Sequence, residues 1–318
     1  MSETFEIAVY NRYTGKDEIE KVYGANAVRF AYSSKLGTFL GPVIASKLVS
    51  KLYGFSQDSA HSAKKVPDFI KNFHIDMNDY EPGAFAEKKI EDSYKSFNEF
   101  FIRKFRRGKR NFIATENIMP AFSEARYFGY EAVDDSISLP VKGKMLRAQD
   151  LIGDKNIAKD FEGGPLLIAR LCPVDYHRYH YPDNGKTLKS FYRRGQLHSV
   201  NPLALKLRND IFIQNERRIS ILETQNFGKL AYIEVGATCV GKIVQSFDEG
   251  TQFERGSEKG YFLFGGSTVI VCGEPQKWKP CQDILDNTRQ GKETYIHLGD
   301  KVATAGEALG KTLREIED

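Results

Sequence analysis

The chain has 318 residues and a net charge of +4, and 41% of its residues are hydrophobic and 28% are charged. That balance is typical of a globular protein with a sizeable buried core and excludes a disordered or fibrous chain. No run of apolar residues is long enough for a transmembrane helix, and the acidic opening after Met1 predicts no secretory signal peptide. The four cysteines form no Cys-x-x-Cys pair. We therefore expect no metal site and no disulfide framework, and a reducing compartment is favoured.

The first predicted elements are a short hairpin and a basic, amphipathic helical segment. Residues 5–23 are typical of a hairpin with Thr14-Gly15 at its turn. Residues 26–55 place apolar side chains three and four positions apart, with lysines and arginines among them and a Gly-Pro break. Two placements remain open for this segment. Its apolar face either packs on the core of the protein or lies in a membrane interface, with its cations toward anionic headgroups.

The middle of the chain predicts a short helix that is followed by strands. Ser96-x-x-Glu99 is a capping box that opens a helix with three buried phenylalanines. From about residue 113, β-branched and aromatic runs alternate with Gly, Asn and Asp, which predicts strands. We therefore expect an α+β fold, with N-terminal helices on a mostly antiparallel β-sheet core.

A basic run lies at the end of the capped helix. Six lysines and arginines fall between Arg103 and Arg110. Such a run is commonly a solvated loop, but it can also bind the anionic phosphates of lipid or nucleic acid. Because no DNA- or RNA-binding motif accompanies it, we expect no nucleic acid partner.

The tripeptide Gly265-Gly266-Ser267 lies between two hydrophobic runs that both predict strands. Two glycines allow backbone conformations that other residues rarely adopt. A serine hydroxyl on such a backbone can be directed at the carbonyl of the residue before it. On the local sequence alone, a plain turn serine is the simpler interpretation.

Five stretches of the chain together carry more information than that tripeptide. They are residues 96–105, 141–154, 169–180, 235–241 and the Gly-Gly-Ser-Thr at 265–268. The stretch at 169–180 ends in Asp-Tyr-His-Arg-Tyr-His, a combination of residues that is specific enough to identify a family. In this order, the stretches resemble the phosphatidylserine decarboxylases, a self-processing family that works through a pyruvoyl group.

The resemblance implies a cut between Gly266 and Ser267. Ser267 would attack the Gly266 carbonyl, and a β chain of residues 1–266 would stay associated with an α chain of residues 267–318. The covalent pyruvoyl cofactor would derive from Ser267 and act as an electron sink, which the twenty side chains do not supply. Phosphatidylserine would lose CO₂ and become phosphatidylethanolamine.

The same resemblance implies two regions and a location. Residues 1–95 would hold the hairpin and the membrane-associating helices, and residues 96–318 would form the catalytic domain. We expect a peripheral protein that associates with a phospholipid membrane on its cytoplasmic face. Monomer and homodimer both remain open.

Two histidines three residues apart, beside an acid, are candidates for proton transfer because histidine changes charge near neutral pH. The resemblance assigns His180 to self-cleavage together with Ser267, and His177 to decarboxylation. Asp175 could orient one of the imidazoles, as the third member of a triad does. His198 lies in a further block of the family and has either a supporting role or that of a plain strand histidine.

One departure from the family concerns the acid of its self-cleavage triad. Aligning the family's Asp-Ala-Arg with residues 124–126 puts Glu124 at that position, whereas aligning on Pro120 puts Phe122 there. Glutamate has one more methylene than aspartate, and a misplacement of about 1 Å can lower a rate roughly a hundredfold. Self-processing could therefore be slow, depend on Asp175, or fail. With the first alignment, Glu124→Asp should leave cleavage unchanged or make it faster.

Three other functions stay open on sequence grounds. A pyruvoyl enzyme could act on a soluble amino acid such as tryptophan instead of on a lipid. A serine hydrolase could pair Ser267 with His177 or His180, although the chain lacks a Gly-x-Ser-x-Gly motif. A relative that fails to process itself could bind lipid without catalysis.

Overall fold

The computed structural model describes residues 7–20, 54–133, 147–200, 204, 210–237, 242–247, 249–265 and 267–306. Most of the amphipathic segment, the start of the block at 141–154, and Gly266 lie outside these residues. The predictions made for them therefore stay predictions.

Strands dominate the described part of the chain. They are β1 (Ala8–Asn11), β2 (Lys16–Ile19), β3 (Ile118–Pro120), β4 (Ala125–Tyr130), β5 (Leu166–Leu171), β6 (Arg178–His180), β7 (Gly185–Arg193), β8 (Arg217–Thr224), β9 (Lys229–Val235), β10 (Ile243–Gln245), β11 (Gln252–Phe253), β12 (Glu258–Phe262), β13 (Ser267–Gly273), β14 (Trp278–Pro280), β15 (Glu293–Ile296) and β16 (Lys301–Ala305).

Short helices connect and flank these strands. The α-helices are α1 (Val66–Phe73), α2 (Phe97–Phe101), α3 (Ala148–Ile152), α4 (Lys155–Ala158), α5 (Ile211–Gln214) and α6 (Gln282–Arg289). Short 3₁₀ helices lie at Ala60–Lys65, Met77–Asp79 and Ile90–Asp92. Among the described residues, no helix combines the length and the apolar character that a bilayer crossing requires.

The described strands form one ten-stranded sheet and two three-stranded sheets. The order in the large sheet is β11-β7-β8-β9-β13-β5-β4-β15-β1-β2, and the small sheets are β10-β12-β6 and β14-β16-β3. β1 runs parallel to β15, whereas the other strand pairs of the described part are antiparallel. The predicted α+β class with a mostly antiparallel sheet is therefore confirmed.

β13 lies in the middle of the large sheet, between β5 and β9. All seven of its residues are buried, as are all six of β5. Strands covered on both faces are continuously hydrophobic, and the run Val269-Ile270-Val271 has that composition. Because Ser267 is the first residue of β13 and pairs with Leu171, its backbone is held by the most buried part of the sheet.

The predicted N-terminal hairpin is confirmed for the residues described. β1 and β2 pair antiparallel, and Gly15 adopts a φ of +67° at the turn between them. A left-handed φ is unfavourable for residues with a side chain, so the turn depends on this glycine. β1 then adds the hairpin to the large sheet through β15.

The capping box at α2 is confirmed in one of its two bonds. Ser96 Oγ accepts from the Glu99 backbone N–H at 3.1 Å, as the motif predicts. Glu99 Oε2 accepts from the Lys95 N–H at 2.5 Å rather than from that of Ser96. The helix start is therefore fixed, and the three phenylalanines that follow it are buried as expected.

A phenylalanine cluster, formed by Phe69, Phe97, Phe100, Phe101 and Phe264, packs apart from the main core of the sheet. Phe264 meets the rings of Phe97 and Phe101 edge-on, with ring centroids 5.0 Å apart in each pair. α1 and α2, on the two sides of the predicted boundary at residue 95, both contribute to this cluster. The cluster therefore joins α2 to the segment that leads into β13.

Candidate active site

Ser267 lies at the end of a loop whose conformation requires glycine. Gly265 has a φ of +147°, which residues with a side chain rarely adopt. One residue earlier, the Phe264 N–H donates to Asn98 Oδ1 at 2.8 Å. The loop is thus anchored to α2 on one side, and it enters β13 at Ser267, which is fully buried.

His177 is the imidazole that contacts Ser267. Its Nδ1 lies 3.2 Å from Ser267 Oγ, and its Nε2 lies 2.9 Å from the carbonyl oxygen of Cys172. Because a carbonyl only accepts hydrogen bonds, the proton resides on Nε2, and Nδ1 presents a lone pair to the serine hydroxyl. Phe101 stacks on the ring, with centroids 3.8 Å apart, and fixes its plane.

Burial determines the charge of His177. Removal from water lowers its pKa to about 3, and the positive charges of Arg103 and Arg126 act in the same direction. The imidazole is therefore neutral at physiological pH. A neutral ring whose free nitrogen faces a hydroxyl is arranged to accept a proton.

The triad analogy suggested that Asp175 orients an imidazole. In the described structure, the carboxylate of Asp175 has other partners. Its carboxylate accepts from the Cys172 N–H at 2.6 Å and from Arg126. Its own N–H donates to the Cys172 carbonyl at 2.8 Å. Asp175 therefore closes the turn whose carbonyl orients His177, which makes it a positioning residue.

A buried network of ions continues from Asp175 to the N-terminal hairpin. Arg126 pairs with Asp175 and with Glu20, and Arg170 pairs with Glu20 at 2.8 Å and with Glu293 at 2.5 Å. Burial alone would raise the pKa of Glu20, but Arg170 and Arg126 outweigh it and lower the pKa to about 2. Glu20 is therefore ionised, and it ties the end of the hairpin to the strands around Ser267.

His180 does not contact Ser267. Its Nδ1 lies 2.9 Å from the Gly256 carbonyl oxygen and its Nε2 lies 3.2 Å from the Tyr176 hydroxyl. The backbone is extended here, and in extended chain residues an odd number apart point to opposite sides. In the structure His177, and not His180 as expected, contacts the Ser267 hydroxyl. A role for His180 in cleavage stays a prediction, and no direct contact with Ser267 supports it.

Glu124 is buried, and its carboxylate is fully occupied away from both histidines. It accepts two hydrogen bonds from Arg110, at 2.6 and 2.9 Å. It also accepts from the Tyr295 hydroxyl and from the Leu298 N–H, both at 3.2 Å. The alternative residue of the alignment, Phe122, has a fully buried ring in the main core. Neither alignment thus gives a carboxylate bonded to His177 or His180 in this structure.

These contacts add an expectation about stability for Glu124→Asp, whereas its expected effect on cleavage stays a prediction. The shorter side chain cannot keep the bidentate bond to Arg110 together with the bonds to Tyr295 and Leu298. We expect the free energy of unfolding to fall by about 1–3 kcal/mol, the usual cost of leaving buried polar groups unpaired. Urea denaturation would measure this. Glu116→Asp, at an exposed site, should change stability by less than about 0.5 kcal/mol. An unchanged stability of Glu124→Asp would contradict this account.

His198 lies outside the group formed by Ser267 and His177. Asn215 holds its backbone, with Oδ1 accepting from the His198 N–H at 2.9 Å and Nδ2 donating to its carbonyl at 2.7 Å. The same Nδ2 donates to the Gly236 carbonyl at 2.8 Å. The predicted supporting role therefore stays a prediction.

Sequence reasoning missed three contributors to the site. Asn98 holds the loop before Ser267, Phe101 stacks on His177, and the backbone carbonyl of Cys172 fixes the proton on His177. An asparagine among buried phenylalanines was the one available signal, because a buried amide needs partners. The contact of the Cys172 carbonyl could not be predicted from residue types, because every residue has a backbone carbonyl.

Comparisons with known proteins identify one family. The family model described as Phosphatidylserine decarboxylase matches residues 97–304. A phosphatidylserine decarboxylase proenzyme of Clostridium botulinum (strain Alaska E43 / Type E3) is 39% identical over 299 residues, which cover 94% of this chain and 99% of the relative. That of Clostridium novyi (strain NT) is 40% identical with the same coverage. That of Ruminiclostridium cellulolyticum (strain ATCC 35319 / DSM 5812 / JCM 6584 / H10) is 38% identical over 308 residues, which cover 96% and 98% of the two chains.

Proposed function

The chain belongs to the phosphatidylserine decarboxylase family, whose members are lyases, and from this premise we propose that it cuts itself between Gly266 and Ser267. We propose further that the processed protein converts phosphatidylserine to phosphatidylethanolamine and CO₂ through a pyruvoyl group at residue 267. One observation supports both steps above all others. The Ser267 hydroxyl faces the free nitrogen of a neutral, buried imidazole at 3.2 Å.

The cleavage step follows from this contact. As the Ser267 hydroxyl gives its proton to His177 Nδ1, its oxygen bonds to the carbonyl carbon of Gly266. The peptide C–N bond then breaks, and the amine of residue 267 takes up the proton, which leaves an ester. Loss of the proton from the α-carbon of residue 267 and cleavage of its Cβ–O bond release Gly266 as a carboxylate. Water then replaces the nitrogen of residue 267, which departs as ammonia.

The residues around position 267 fit a pyruvoyl group. The position is closed to solvent, and His177 Nδ1 lies within hydrogen-bond distance of its side chain. A pyruvoyl group there supplies the electron sink that decarboxylation needs. His177 can hold or return a proton beside it, and Phe101 limits the access of water to the ring.

Association with a phospholipid membrane is part of the proposal. Phosphatidylserine, which the names of the relatives specify, is a membrane lipid, and Phe55, the last residue of the amphipathic segment, is 79% exposed. We propose peripheral binding to the cytoplasmic face through residues 26–55. The basic run contributes less than its charge predicts. Arg103, Arg106, Lys109 and Arg110 bond within the protein, although Arg106 and Lys109 are exposed, as are Lys104 and Arg107.

An intact-mass spectrum under denaturing conditions tests the processing step. We expect a small fragment that begins at residue 267 and is lighter than its sequence mass by one ammonia. The same preparation should release CO₂ from liposomes that contain phosphatidylserine, and not from free serine or free tryptophan. A single mass near 36.1 kDa without release of CO₂ would contradict the proposal and would favour an unprocessed lipid-binding relative.

A further inference from the structure

A cavity of about 390 Å³ opens beside the loop that leads to Ser267. Its lining includes Asn98, Leu263 and four cations, Arg103, Lys104, Arg178 and Lys95. The cleavage step above gives none of these cations a bond to a reacting atom. Sequence analysis assigned Arg103 and Lys104 to a basic run that is commonly a solvated loop.

Arg103 differs from the other cations of this cavity because it is buried without an acidic partner. It is 2% exposed, and its guanidinium lies 4.4 Å from the ring centroid of Tyr80 and 4.7 Å from that of Phe100. It donates to the carbonyl of Val174 at 2.7 Å and to that of Phe100 at 3.3 Å. Among the described residues no carboxylate pairs with it, and its Nε has no hydrogen-bond partner.

Such a group is unusual on energetic grounds. A buried charge is costly unless an opposite charge compensates it. Arg178, in the same cavity, shows the usual solution, since it pairs with Glu258 at 2.7 Å. Arg103 therefore offers an anion in the cavity a positive charge and an Nε–H group that has no other acceptor.

A short series of contacts connects the cavity with the reaction centre. Asn98 lines the cavity and accepts from the Phe264 N–H at 2.8 Å. Phe264 packs on Phe101, and Phe101 stacks on His177, the partner of Ser267. A ligand in the cavity would therefore lie against the loop whose cut we propose.

We propose that this cavity binds the phosphate group of the lipid headgroup and that the Arg103 guanidinium is its charged donor. This rests on the proposed function, since it gives the same site its contact with the substrate. Guanidinium and phosphate form strong charge-assisted hydrogen bonds because their geometries match. Carboxylates of Asp58, Glu81 and Glu99 also line the cavity. Mixed charge suits a serine headgroup, which carries an ammonium group besides its two anionic groups.

Arg103→Gln tests the proposal, with Arg107→Gln as the matched control. Both remove one positive charge from the same basic run, but Arg107 is exposed and lies outside the cavity lining. For Arg103→Gln we expect processed protein whose KM for phosphatidylserine in mixed micelles is about 10- to 100-fold higher, the loss expected for a charge-assisted hydrogen bond. The change should lie in KM more than in kcat. The control should stay within about twofold, as expected for a screened surface charge.

A binding measurement separates this proposal from the proposed function. Calorimetric titration with glycerophosphoethanolamine and, separately, with inorganic phosphate reports on the cavity without any turnover. We expect the wild type to bind the headgroup analogue and Arg103→Gln to bind it at least about tenfold more weakly. If Arg103→Gln does not fold, Arg103→Lys serves instead and should show a smaller rise in KM, because it keeps the charge but loses the planar fork.

Three results would overturn the proposal while leaving the proposed function intact. The first is that Arg103→Gln or Arg103→Lys has the wild-type KM for phosphatidylserine and the wild-type affinity for the headgroup analogue. The second is an equal rise in KM for Arg107→Gln, which would indicate a general charge effect. The third is binding of inorganic phosphate that depends on Arg103 without any change in the KM for lipid, which would mark a site for the free anion. A wild type that neither cleaves nor decarboxylates would refute the proposed function instead.

Discussion

Replacing Ser267 with alanine should leave the chain uncut and without decarboxylase activity. The methyl group fits the fully buried position, so the fold should survive, while the hydroxyl that faces His177 Nδ1 is removed. Without that nucleophile no ester forms, and the electron sink for decarboxylation is never made. Denaturing gel electrophoresis should show one full-length band, and CO₂ release from phosphatidylserine should fall to background.

A matched variant distinguishes a nucleophile from a turn residue. Ser267→Cys keeps a side-chain nucleophile of similar shape at the same place, so slow but measurable cleavage is expected. If Ser267 were only a turn serine, alanine and cysteine would behave alike. Two chains that persist in Ser267→Ala would refute the assignment of the cleavage site.

Replacing His177 with asparagine should lower decarboxylation by about 100- to 10,000-fold, the range found when a general acid or base is removed. The asparagine amide can occupy the position of Nδ1 beside Ser267 but does not accept a proton at neutral pH. The rate of CO₂ release per processed chain would measure the loss. Turnover at the wild-type rate would refute a catalytic role for this imidazole.

Cleavage in His177→Asn and His180→Asn compares the contact geometry with the family resemblance. The contact predicts that His177→Asn slows cleavage, whereas the resemblance predicts the same for His180→Asn. If His177 accepts the proton, its pKa of about 3 means that it stays deprotonated as the pH rises from about 5 to 8, so the cleavage rate should show no histidine titration there. Cleavage that stops only in His180→Asn would return this role to His180.

Local patterns predicted the local features of the fold. The glycine turn of the hairpin, the capping box at Ser96 and the buried run of β13 each depend on neighbouring residues and were confirmed. The pairing of the histidines with Ser267 depended on whether residues 177–180 were helical or extended. Three-residue spacing puts side chains on one face of a helix but on opposite sides of extended chain, so the residue types alone did not decide it.

The charged residues show where sequence reasoning ends. The partners of Glu124 include Arg110, from the basic run, and Tyr295, which is 171 positions away in the chain. Arg103 lies among other cations that look solvated in the sequence, yet the phenylalanine cluster and Tyr80 bury it. Such pairings arise only when distant segments meet, and no local spacing encodes them.

The place of Ser267 in the sheet determines the fate of the two polypeptides after the cut. The break would fall just before β13, which aligns with β5 from Ser267 to Cys272 and with β9 from Thr268 to Gly273. β13 lies on the C-terminal side of the severed bond, as do β15 and β16, whereas β5 and β9 lie on its N-terminal side. After the cut, the small polypeptide would therefore still supply β13, the central strand of a sheet whose neighbouring strands β5 and β9 belong to the large polypeptide. The products would form a permanent heterodimer without a covalent link, one that native chromatography cannot resolve and that only unfolding separates.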